Sequence, residues 1–335
     1  MIKLALLSTW HVHTDWFLGK LRDSGLADFV IMWDEDPIRG KRFAEEHGIP
    51  FEDTLEKVLS RQDVEGVVVE CPTTRHTEVI CKAANAGKHI FSDKALTLTM
   101  AEYEKMETAI KENKVKFLLS LESKSIGIYQ YAAELANTRK LGRITSAYFR
   151  RAHQALLDPH MLPKYWFDTT QSGGGVTLDL GCHGLYLLPM FCGKPKKVTS
   201  RMGNLYGSKG DELSSTVIEF ENGAIGTAFT SYVSYRQDNL LEIMGTEGSI
   251  IVVGTEKSNF TVLLQSKNIP GYENMRQIPH EDIPEDREFP IVDFVRLIRS
   301  EKDEAPEYGL KEAKNLTRLI ECAYESARRG KTVLF

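Results

Sequence analysis

Residues 67–94, VVVECPTTRHTEVICKAANAGKHIFSDK, read as a strand, a turn, a helix and a second strand in succession. The apolar run Val67–Val69 predicts a buried strand, which ends in a turn at Cys71-Pro72-Thr73. The helix that follows stops at Gly87, and the next strand ends in the acid–lysine pair Asp93-Lys94. Two buried strands joined through a helix are typical of a parallel sheet.

The same alternation of strands and helices fills the chain from Ile2 to about Leu121. The predicted strands are Ile2–Leu7, Phe29–Trp33, Gly66–Glu70, His89–Phe91 and Lys116–Leu119. Helices are predicted to begin near Thr14, Pro37, Thr54, Thr74 and Thr99. Because these strands are apolar on both faces, the pattern predicts a parallel sheet covered by helices on both sides.

After Leu121 the pattern changes to a run of strands. A helix near Ile126–Ala136, a strand near Ile144–Arg151 and a long loop at 155–174 come first. Strands are then predicted at Lys197–Met202, Ser214–Glu219, Ala224–Ser231, Leu240–Met244, Ser249–Val253 and Phe260–Gln265, with closing helices at Phe289–Arg299 and Leu310–Arg328. We therefore expect an α/β protein with two domains, 1–121 with a Rossmann-type parallel sheet and 122–335 with an open, mostly antiparallel sheet.

Composition excludes several classes of function. The chain has 335 residues, of which 42% are hydrophobic and 27% charged, as is typical of a globular protein of two domains. Its formal net charge of −5 predicts no binding to nucleic acid or to an anionic membrane. The apolar start is too short for a signal peptide, and five cysteines without a CxxC pair favour the reducing cytoplasm.

A second informative stretch is Ser172–His183, SGGGVTLDLGCH. Three glycines allow close approach of the backbone to a flat or bulky group. Asp179 and His183 are four residues apart and would share one helix face, where the carboxylate can orient the imidazole as a general base. The alternative is a glycine-rich turn before a core helix with a structural histidine.

Taken in order, these segments resemble the glucose-fructose oxidoreductase / inositol dehydrogenase (Gfo/Idh/MocA) family over nearly the whole chain. The matching motifs are Cys71-Pro72-Thr73 with His76, Ala86 to His89, Asp93-Lys94, Tyr165-Trp166-Phe167-Asp168, Gly173 to His183, and Glu242 to Gly248. The resemblance implies an NAD(P)-dependent dehydrogenase of CH–OH groups. It also implies that Lys94 orients the substrate hydroxyl, that His183 removes its proton, and that Asp179 supports His183.

Three residues depart from the family pattern. Asp93 replaces Glu, and Tyr186 stands where many relatives have a second acid. Ala95 replaces the proline of the family's Lys-Pro bond, which is often cis. A non-proline cis bond costs about 2.5–4 kcal/mol, so the sequence leaves the orientation of Lys94 open.

The first turn, Ser8-Thr9-Trp10-His11-Val12-His13, lacks both leading glycines of a G-x-G-x-x-G motif. We expect it to bind the dinucleotide with the pyrophosphate seated differently. Asp34 ends the second strand, where an acid binds the ribose hydroxyls of NAD and disfavours NADP; the alternative is a helix cap. The predicted cofactor is therefore NAD, held by Ser8, Thr9, Trp10, His11, Val12, Asp34, Cys71, Pro72, Thr73, His76, Asp93 and Lys94.

His11 and His13 also raise the question of a metal site. Without a third ligand nearby, the sequence predicts no metal there. If His13 opens the helix, the two rings should diverge, and a turn packed by Trp10 is the favoured interpretation.

The predicted substrate is a sugar, inositol or related polyol, which aromatic and charged side chains suit. Candidate contacts are Tyr165, Trp166, Asp168, Tyr235 and Arg236, with packing as the alternative for Trp166. Two other functions remain open: a non-redox sugar-processing enzyme that uses bound NAD transiently, and a non-catalytic sensor with a degenerate first turn. We expect a homo-oligomer, a dimer or tetramer, formed through the C-terminal sheet.

Overall fold

The computed structural model describes residues 1–236 and 238–335, and the chain divides into two compact units. The first consists of Met1–Leu121, Thr170–Ser172 and Glu288–Thr317; the second consists of Glu122–Thr169, Gly173–Arg287 and Arg318–Phe335. The predicted domain ranges, 1–121 and 122–335, differ from these units in the assignment of the later segments and stay a prediction.

The strands and helices follow the predicted order closely. The strands are β1 (Ile2–Leu7), β2 (Ala27–Trp33), β3 (Gly66–Val69), β4 (His89–Ser92), β5 (Phe117–Leu119), β6 (Ile144–Ala152), β7 (Pro195–Gly203), β8 (Leu213–Phe220), β9 (Ile225–Ser231), β10 (Asn239–Gly245), β11 (Gly248–Gly254), β12 (Thr261–Ser266), β13 (Arg276–Gln277) and β14 (Val333–Leu334). The α-helices are α1 (Thr14–Ser24), α2 (Pro37–His47), α3 (Leu55–Ser60), α4 (His76–Asn85), α5 (Met100–Glu112), α6 (Gly127–Asn137), α7 (Thr169–Ser172), α8 (Cys182–Cys192), α9 (Pro290–Arg299) and α10 (Leu310–Arg329).

The first unit contains a parallel sheet in the order β2-β1-β3-β4-β5, which confirms the predicted Rossmann-type architecture. Every residue of β3 is buried, as expected for an inner strand of a covered sheet. Local sequence signals set the helix ends: the Asp36 carboxylate caps α2, and Gly25 ends α1 with a φ of 61°. The carboxyl ends of β1, β3 and β4 lie side by side at one edge, where open α/β sheets bind ligands.

The edge strand β5 of the first unit is completed by residues from late in the chain. The Leu119 N–H donates to the Tyr308 carbonyl at 2.8 Å. Lys116 Nζ donates to the carbonyls of Leu297 at 2.8 Å and Ser300 at 2.5 Å, at the C-terminal end of α9. This unit is therefore assembled from distant parts of the sequence.

The second unit contains a sheet in the order β13-β12-β11-β10-β6-β9-β8-β7-β14. Only the pair β6–β9 is parallel within this sheet as described, so the predicted mostly antiparallel arrangement is confirmed. Helix α8 packs on β6 and β9. In the described part of the chain, no helix combines the length and apolar character needed to cross a membrane.

Candidate active site

The first turn follows β1 directly, and Ser8 has a φ of 81° where the family's motif has glycine. Its amide groups are directed into the protein: Thr9 N–H donates to Asp34 Oδ2 at 2.8 Å, and His11 N–H donates to the Glu70 carbonyl at 3.0 Å. Trp10 is 2% exposed and packs inside the fold. The turn thus has a residue in the left-handed conformation, as a Gly-rich loop does. Its Thr9 and His11 N–H groups, however, donate to protein acceptors and not to a phosphate.

The acid predicted at the end of β2, Asp34, is buried and tightly held. Its Oδ2 also accepts from the Thr9 hydroxyl at 2.7 Å, and its Oδ1 pairs with Arg39 Nη2 at 2.5 Å. Arg39 Nη2 contacts Glu35 Oε1 at 2.6 Å and Ser8 Oγ at 3.3 Å. Arginine was not predicted here, and a guanidinium at this position is a group that can accommodate the 2′-phosphate of NADP.

The Asp34 carboxylate oxygens are already hydrogen-bonded within the protein, whereas Glu35 has an oxygen that can accept a hydrogen bond from a ligand. Its Oε2 is buried and has no hydrogen-bond partner among the described residues. Burial, with the adjacent Asp34 charge, raises the pKa of Glu35 above its ordinary value. A buried carboxyl oxygen without a partner, next to the strand end that binds ribose in Rossmann folds, fits a ligand hydroxyl. The residues present therefore fit an adenosine ribose.

At the end of β4, Lys94 is 3% exposed, and its backbone N–H donates to Asp93 Oδ1 at 2.6 Å. The peptide bond between Lys94 and Ala95 is cis, the form that the resemblance implies for the family's Lys-Pro bond. The lysine is thus held inside the first unit, at the carboxyl edge of its sheet.

The Cys71-Pro72-Thr73 turn is fixed by His76. The His76 ring places Nε2 2.9 Å from the Cys71 carbonyl and Nδ1 2.9 Å from the Leu96 carbonyl. Burial lowers the pKa of His76, although the two carbonyls oppose this shift. With both ring nitrogens facing the backbone, His76 positions the turn after β3 and the segment after Lys94.

His11 and His13 do not diverge as expected. His13 precedes α1, and its ring centroid is 4.5 Å from that of His11. Both Nδ1 atoms lie close to Asp93 Oδ2, at 2.7 Å from His11 and 2.8 Å from His13. The tertiary fold supplies the carboxylate, because β1 and β4 end at the same edge of the sheet. Burial lowers the pKa of His11 to about 4, so this ring is neutral at pH 7.

In the second unit, His183 is completely buried at the start of α8. Its Nδ1 lies 2.6 Å from the Tyr186 hydroxyl and 3.0 Å from Ser123 Oγ. Arg151 Nη1 is 2.8 Å from Nδ1 and 2.9 Å from Nε2, and Glu122 Oε1 is 3.5 Å from Nε2. Since a guanidinium can only donate, Arg151 meets the ring with its N–H groups, whereas the Glu122 carboxylate can only accept while it is ionised.

The carboxylate of Asp179 has other neighbours. Its Oδ2 accepts from the Tyr232 hydroxyl at 2.5 Å and from Trp166 Nε1 at 3.2 Å. Thr177–Gly181 forms a π-helical turn, in which residues four apart no longer lie directly above one another as they do on an α-helix. The hydrogen bonds of Asp179 thus anchor the aromatic loop, and Glu122 stands beside His183.

Two of the three glycines, Gly174 and Gly175, bring the backbone close to other groups of the chain. A Cβ at Gly175 would lie 2.1 Å from the Asp211 carbonyl oxygen. The Asp211 carboxylate accepts from the N–H groups of Gly175 at 3.1 Å and Thr177 at 2.7 Å, and from the Tyr324 hydroxyl at 2.9 Å. The backbone at Gly175 therefore does approach another group closely, and that group is Asp211.

The predicted substrate residues differ in their exposure. Trp166 is buried, whereas Tyr165 and Asp168 are half-buried. Tyr235 is 91% exposed, and Arg236 forms an ion pair with Asp238 at 2.5 Å. Sequence reasoning missed Glu35, Arg39, Glu122, Ser123, Arg151 and Tyr232. The signal that could have found Glu122 is a charged residue three positions after the end of the apolar strand β5.

Comparisons with known proteins agree with this architecture. Residues 13–121 match the family described as "Oxidoreductase family, NAD-binding Rossmann fold", and residues 129–251 match the "GFO/IDH/MocA C-terminal domain". The chain is 30% identical over 246 residues to the scyllo-inositol 2-dehydrogenase (NAD(+)) of Bacillus subtilis (strain 168), covering 69% of this chain and 68% of that protein.

A second relative, the 1,5-anhydro-D-fructose reductase of Ensifer adhaerens, is 25% identical over 272 residues, which are 79% of this chain and 80% of that protein. Among solved structures, the aldose-aldose oxidoreductase from Caulobacter crescentus complexed with glycerol superposes with a TM-score of 0.85. That match covers 100% of this chain and 99% of the other at 20% identity, so it shows the fold alone.

Proposed function

Because this chain belongs to the GFO/IDH/MocA family of oxidoreductases, whose N-terminal part is an NAD-binding Rossmann fold, we propose that it oxidises a hydroxyl group of a sugar, inositol or related polyol with NAD. The observation that carries the proposal is the buried His183 ring with Arg151 and Glu122 beside it. A general base for alcohol oxidation needs an unprotonated ring and a group that stabilises the imidazolium.

Each residue has a defined task in this proposal. NAD, when bound, accepts the hydride of the carbinol carbon. Glu35, with Asp34 and Arg39 around it, holds the adenosine ribose. The Lys94 ammonium orients the hydroxyl oxygen and favours its ionisation.

His183 is the acceptor of the hydroxyl proton. Burial, with the Glu122 charge, raises the pKa of the Tyr186 hydroxyl well above its usual range, so Tyr186 stays protonated and can donate to His183 Nδ1. Nδ1 is then the nitrogen with a lone pair, and an Nε2–H faces Glu122. In the proposed step Tyr186 passes its hydroxyl proton to Nδ1 and takes the substrate's proton in its place, which gives an imidazolium that the Glu122 carboxylate stabilises. Asp179 supports the reaction indirectly, through Trp166 and Tyr232.

The test is a substrate screen of the purified protein with NAD. We expect NADH absorbance at 340 nm to rise with at least one inositol, aldose or anhydrosugar. Mass spectrometry of molecules released from the denatured protein identifies a retained cofactor. NADH formation by wild type that is unchanged in a His183→Ala variant would overturn the assigned role of His183.

The first turn gives one reason to keep a second candidate. Its N–H groups at Thr9 and His11 serve protein acceptors, so a pyrophosphate meets fewer free donors than in a Gly-rich loop. A non-redox sugar-processing enzyme with tightly held NAD would show retained NAD and product without net NADH. A non-catalytic sensor would bind sugar and turn nothing over. Homo-oligomerisation through the C-terminal sheet and a cytoplasmic location stay predictions.

A further inference from the structure

Three metal-ligating groups converge at the carboxyl edge of the first unit's sheet. His11 Nδ1, His13 Nδ1 and an Asp93 carboxylate oxygen all lie within 4.8 Å of one another. The contacts of His11 and His13 to Asp93 share one oxygen, Oδ2, at 2.7 and 2.8 Å. The two rings are edge to face, with an interplanar angle of 62°.

His11 Nδ1 has two polar neighbours. The backbone N–H of His13 lies 3.3 Å from it. The same nitrogen lies 2.7 Å from the Asp93 carboxylate. Either a proton or a metal ion can lie between two such atoms, and His13 Nδ1, 2.8 Å from the same Asp93 oxygen, would be a third ligand to a metal ion.

Glu70 provides an independent observation. This residue follows β3, between the strands that carry the histidines and Asp93, and it is 0% exposed. Its Oε2 accepts from Thr14 Oγ1 at 3.3 Å and lies 3.9 Å from His11 Nδ1. Its Oε1 is buried and has no hydrogen-bond partner within the residues described. A buried carboxylate oxygen without a partner is costly and indicates a ligand that the protein atoms do not supply.

We propose that His11, His13 and Asp93, with Glu70 as the fourth ligand, bind one divalent transition-metal ion of the zinc type. Imidazole nitrogens with carboxylate oxygens are a donor set for Zn²⁺ and related ions, whereas Mg²⁺ and Ca²⁺ prefer oxygen alone. Two carboxylates balance the charge of the ion, although the nearby Lys94 ammonium opposes binding. The Lys94 N–H on Asp93 Oδ1 fixes the carboxylate orientation, as outer groups do at metal sites.

The proposed metal site can be reached from solvent, and it uses residues of the first turn that replace the Gly-rich motif. The His13 side chain is 21% exposed, so an ion can reach the cluster from solvent. The His-x-His segment stands where the Gly-rich motif has its second half, and glycine offers no ligand. The proposal does not rest on the dehydrogenase activity, although His11 and Asp93 are also among the residues predicted to hold NAD.

The test uses the full chain, freed of metal with a chelator and dialysed. Co²⁺ is added stepwise while visible absorption is recorded, and Zn²⁺ is then added in competition. We expect one equivalent of Co²⁺ with the intense bands of four-coordinate geometry, displacement by Zn²⁺, and a higher melting temperature with Zn²⁺. His13→Ala should weaken Zn²⁺ binding by at least about 100-fold, more than loss of an outer-shell group.

The matched control is His47→Ala, which removes a histidine whose Nε2 pairs with Asp15 at 3.0 Å in the same unit. It should bind Co²⁺ as wild type does. His13→Gln, checked by circular dichroism, provides a second variant if His13→Ala does not fold. No Co²⁺ bands in wild type, or equal Zn²⁺ affinity in folded His13 variants and His47→Ala, overturns the proposal.

Discussion

Glu122 Oε1 lies 3.5 Å from Nε2 of His183. The sequence had suggested Asp179 for this neighbouring carboxylate, but Asp179 accepts hydrogen bonds from Tyr232 and Trp166. In the proposed reaction, Glu122 is therefore the carboxylate that stabilises the imidazolium, and Asp179 acts through its hydrogen bonds to Trp166 and Tyr232.

Glu122→Gln should therefore shift the pH dependence of kcat. Without the carboxylate, the His183 imidazolium is less stable, so the rising limb of the profile should move to lower pH and kcat should fall. Asp179→Asn should cost less than His183→Ala and should act mainly on KM, since it loosens Trp166. Initial rates between pH 5 and 9 measure both effects. Identical pH profiles in wild type and Glu122→Gln would remove Glu122 from this role.

Lys94→Ala and His183→Ala should each lower kcat by about 10²–10⁴-fold, the usual contribution of positioned acid–base groups. Affinity for NAD should stay nearly unchanged, because both side chains act on the substrate hydroxyl. Calorimetry with NAD and initial-rate kinetics separate the two effects. His280→Ala is the control, since this exposed ring only contacts the Lys257 carbonyl at 2.7 Å. A His183→Ala enzyme with more than about a tenth of the wild-type rate would point to another base.

NAD should bind more tightly than NADP, because the carboxylates of Asp34 and Glu35 repel a 2′-phosphate. Arg39 is the opposing group, and its charge is shared between these two acids. Arg39→Ala should therefore weaken NADP binding more than NAD binding. Titration calorimetry with each dinucleotide is the measurement. Tighter binding of NADP by wild type would contradict this prediction and would indicate that Arg39 binds the 2′-phosphate.

Trp10→Gly should destabilise the protein, because the indole is 2% exposed and its removal leaves a cavity. Loss of a buried tryptophan costs about 3–5 kcal/mol in unfolding free energy. Urea denaturation measures this change. If Trp10 also restricts the approach of the pyrophosphate, dinucleotide affinity at low temperature should rise or stay unchanged; a large loss in the folded variant would show that the indole contacts the ligand.

Stability should fall as the pH decreases below about 6.5, the ordinary value for histidine. Burial lowers the pKa of His76, so His76 binds a proton in the unfolded chain at a pH where it stays unprotonated in the folded chain. The contribution is complete above the unfolded pKa and decreases by up to about 1.4 kcal/mol per pH unit as the pH falls toward the folded pKa. Urea unfolding at pH 7.5, 6.5 and 5.5 measures the slope. His76→Gln should flatten it, whereas His47→Gln should not.

Local sequence signals were sufficient for the fold. The apolar runs of β1 and β3 depend on neighbouring residues only, and the structure has both strands within one residue of their predicted positions. The mostly antiparallel second sheet followed from turns such as Glu221-Asn222-Gly223, where Gly223 has a φ of 89°.

The contacts within the candidate active site could be predicted less well from local sequence patterns. The spacing of Asp179 and His183 assumes an α-helix, and a π-helical turn at Thr177–Gly181 changes which side chains face each other. The convergence of His13 on Asp93 joins residues 80 apart, which no local pattern encodes. Such contacts depend on how strand ends are brought together.

The discontinuity of the first unit has a consequence for protein synthesis. Lys116 on one side and Ser300 on the other are 184 residues apart, yet they close the same edge of the sheet. The nascent first unit therefore cannot be completed until residues 288–317 have left the ribosome. Until then β5 lacks its late partners, so the first unit completes its folding only after most of the inserted second unit has been translated.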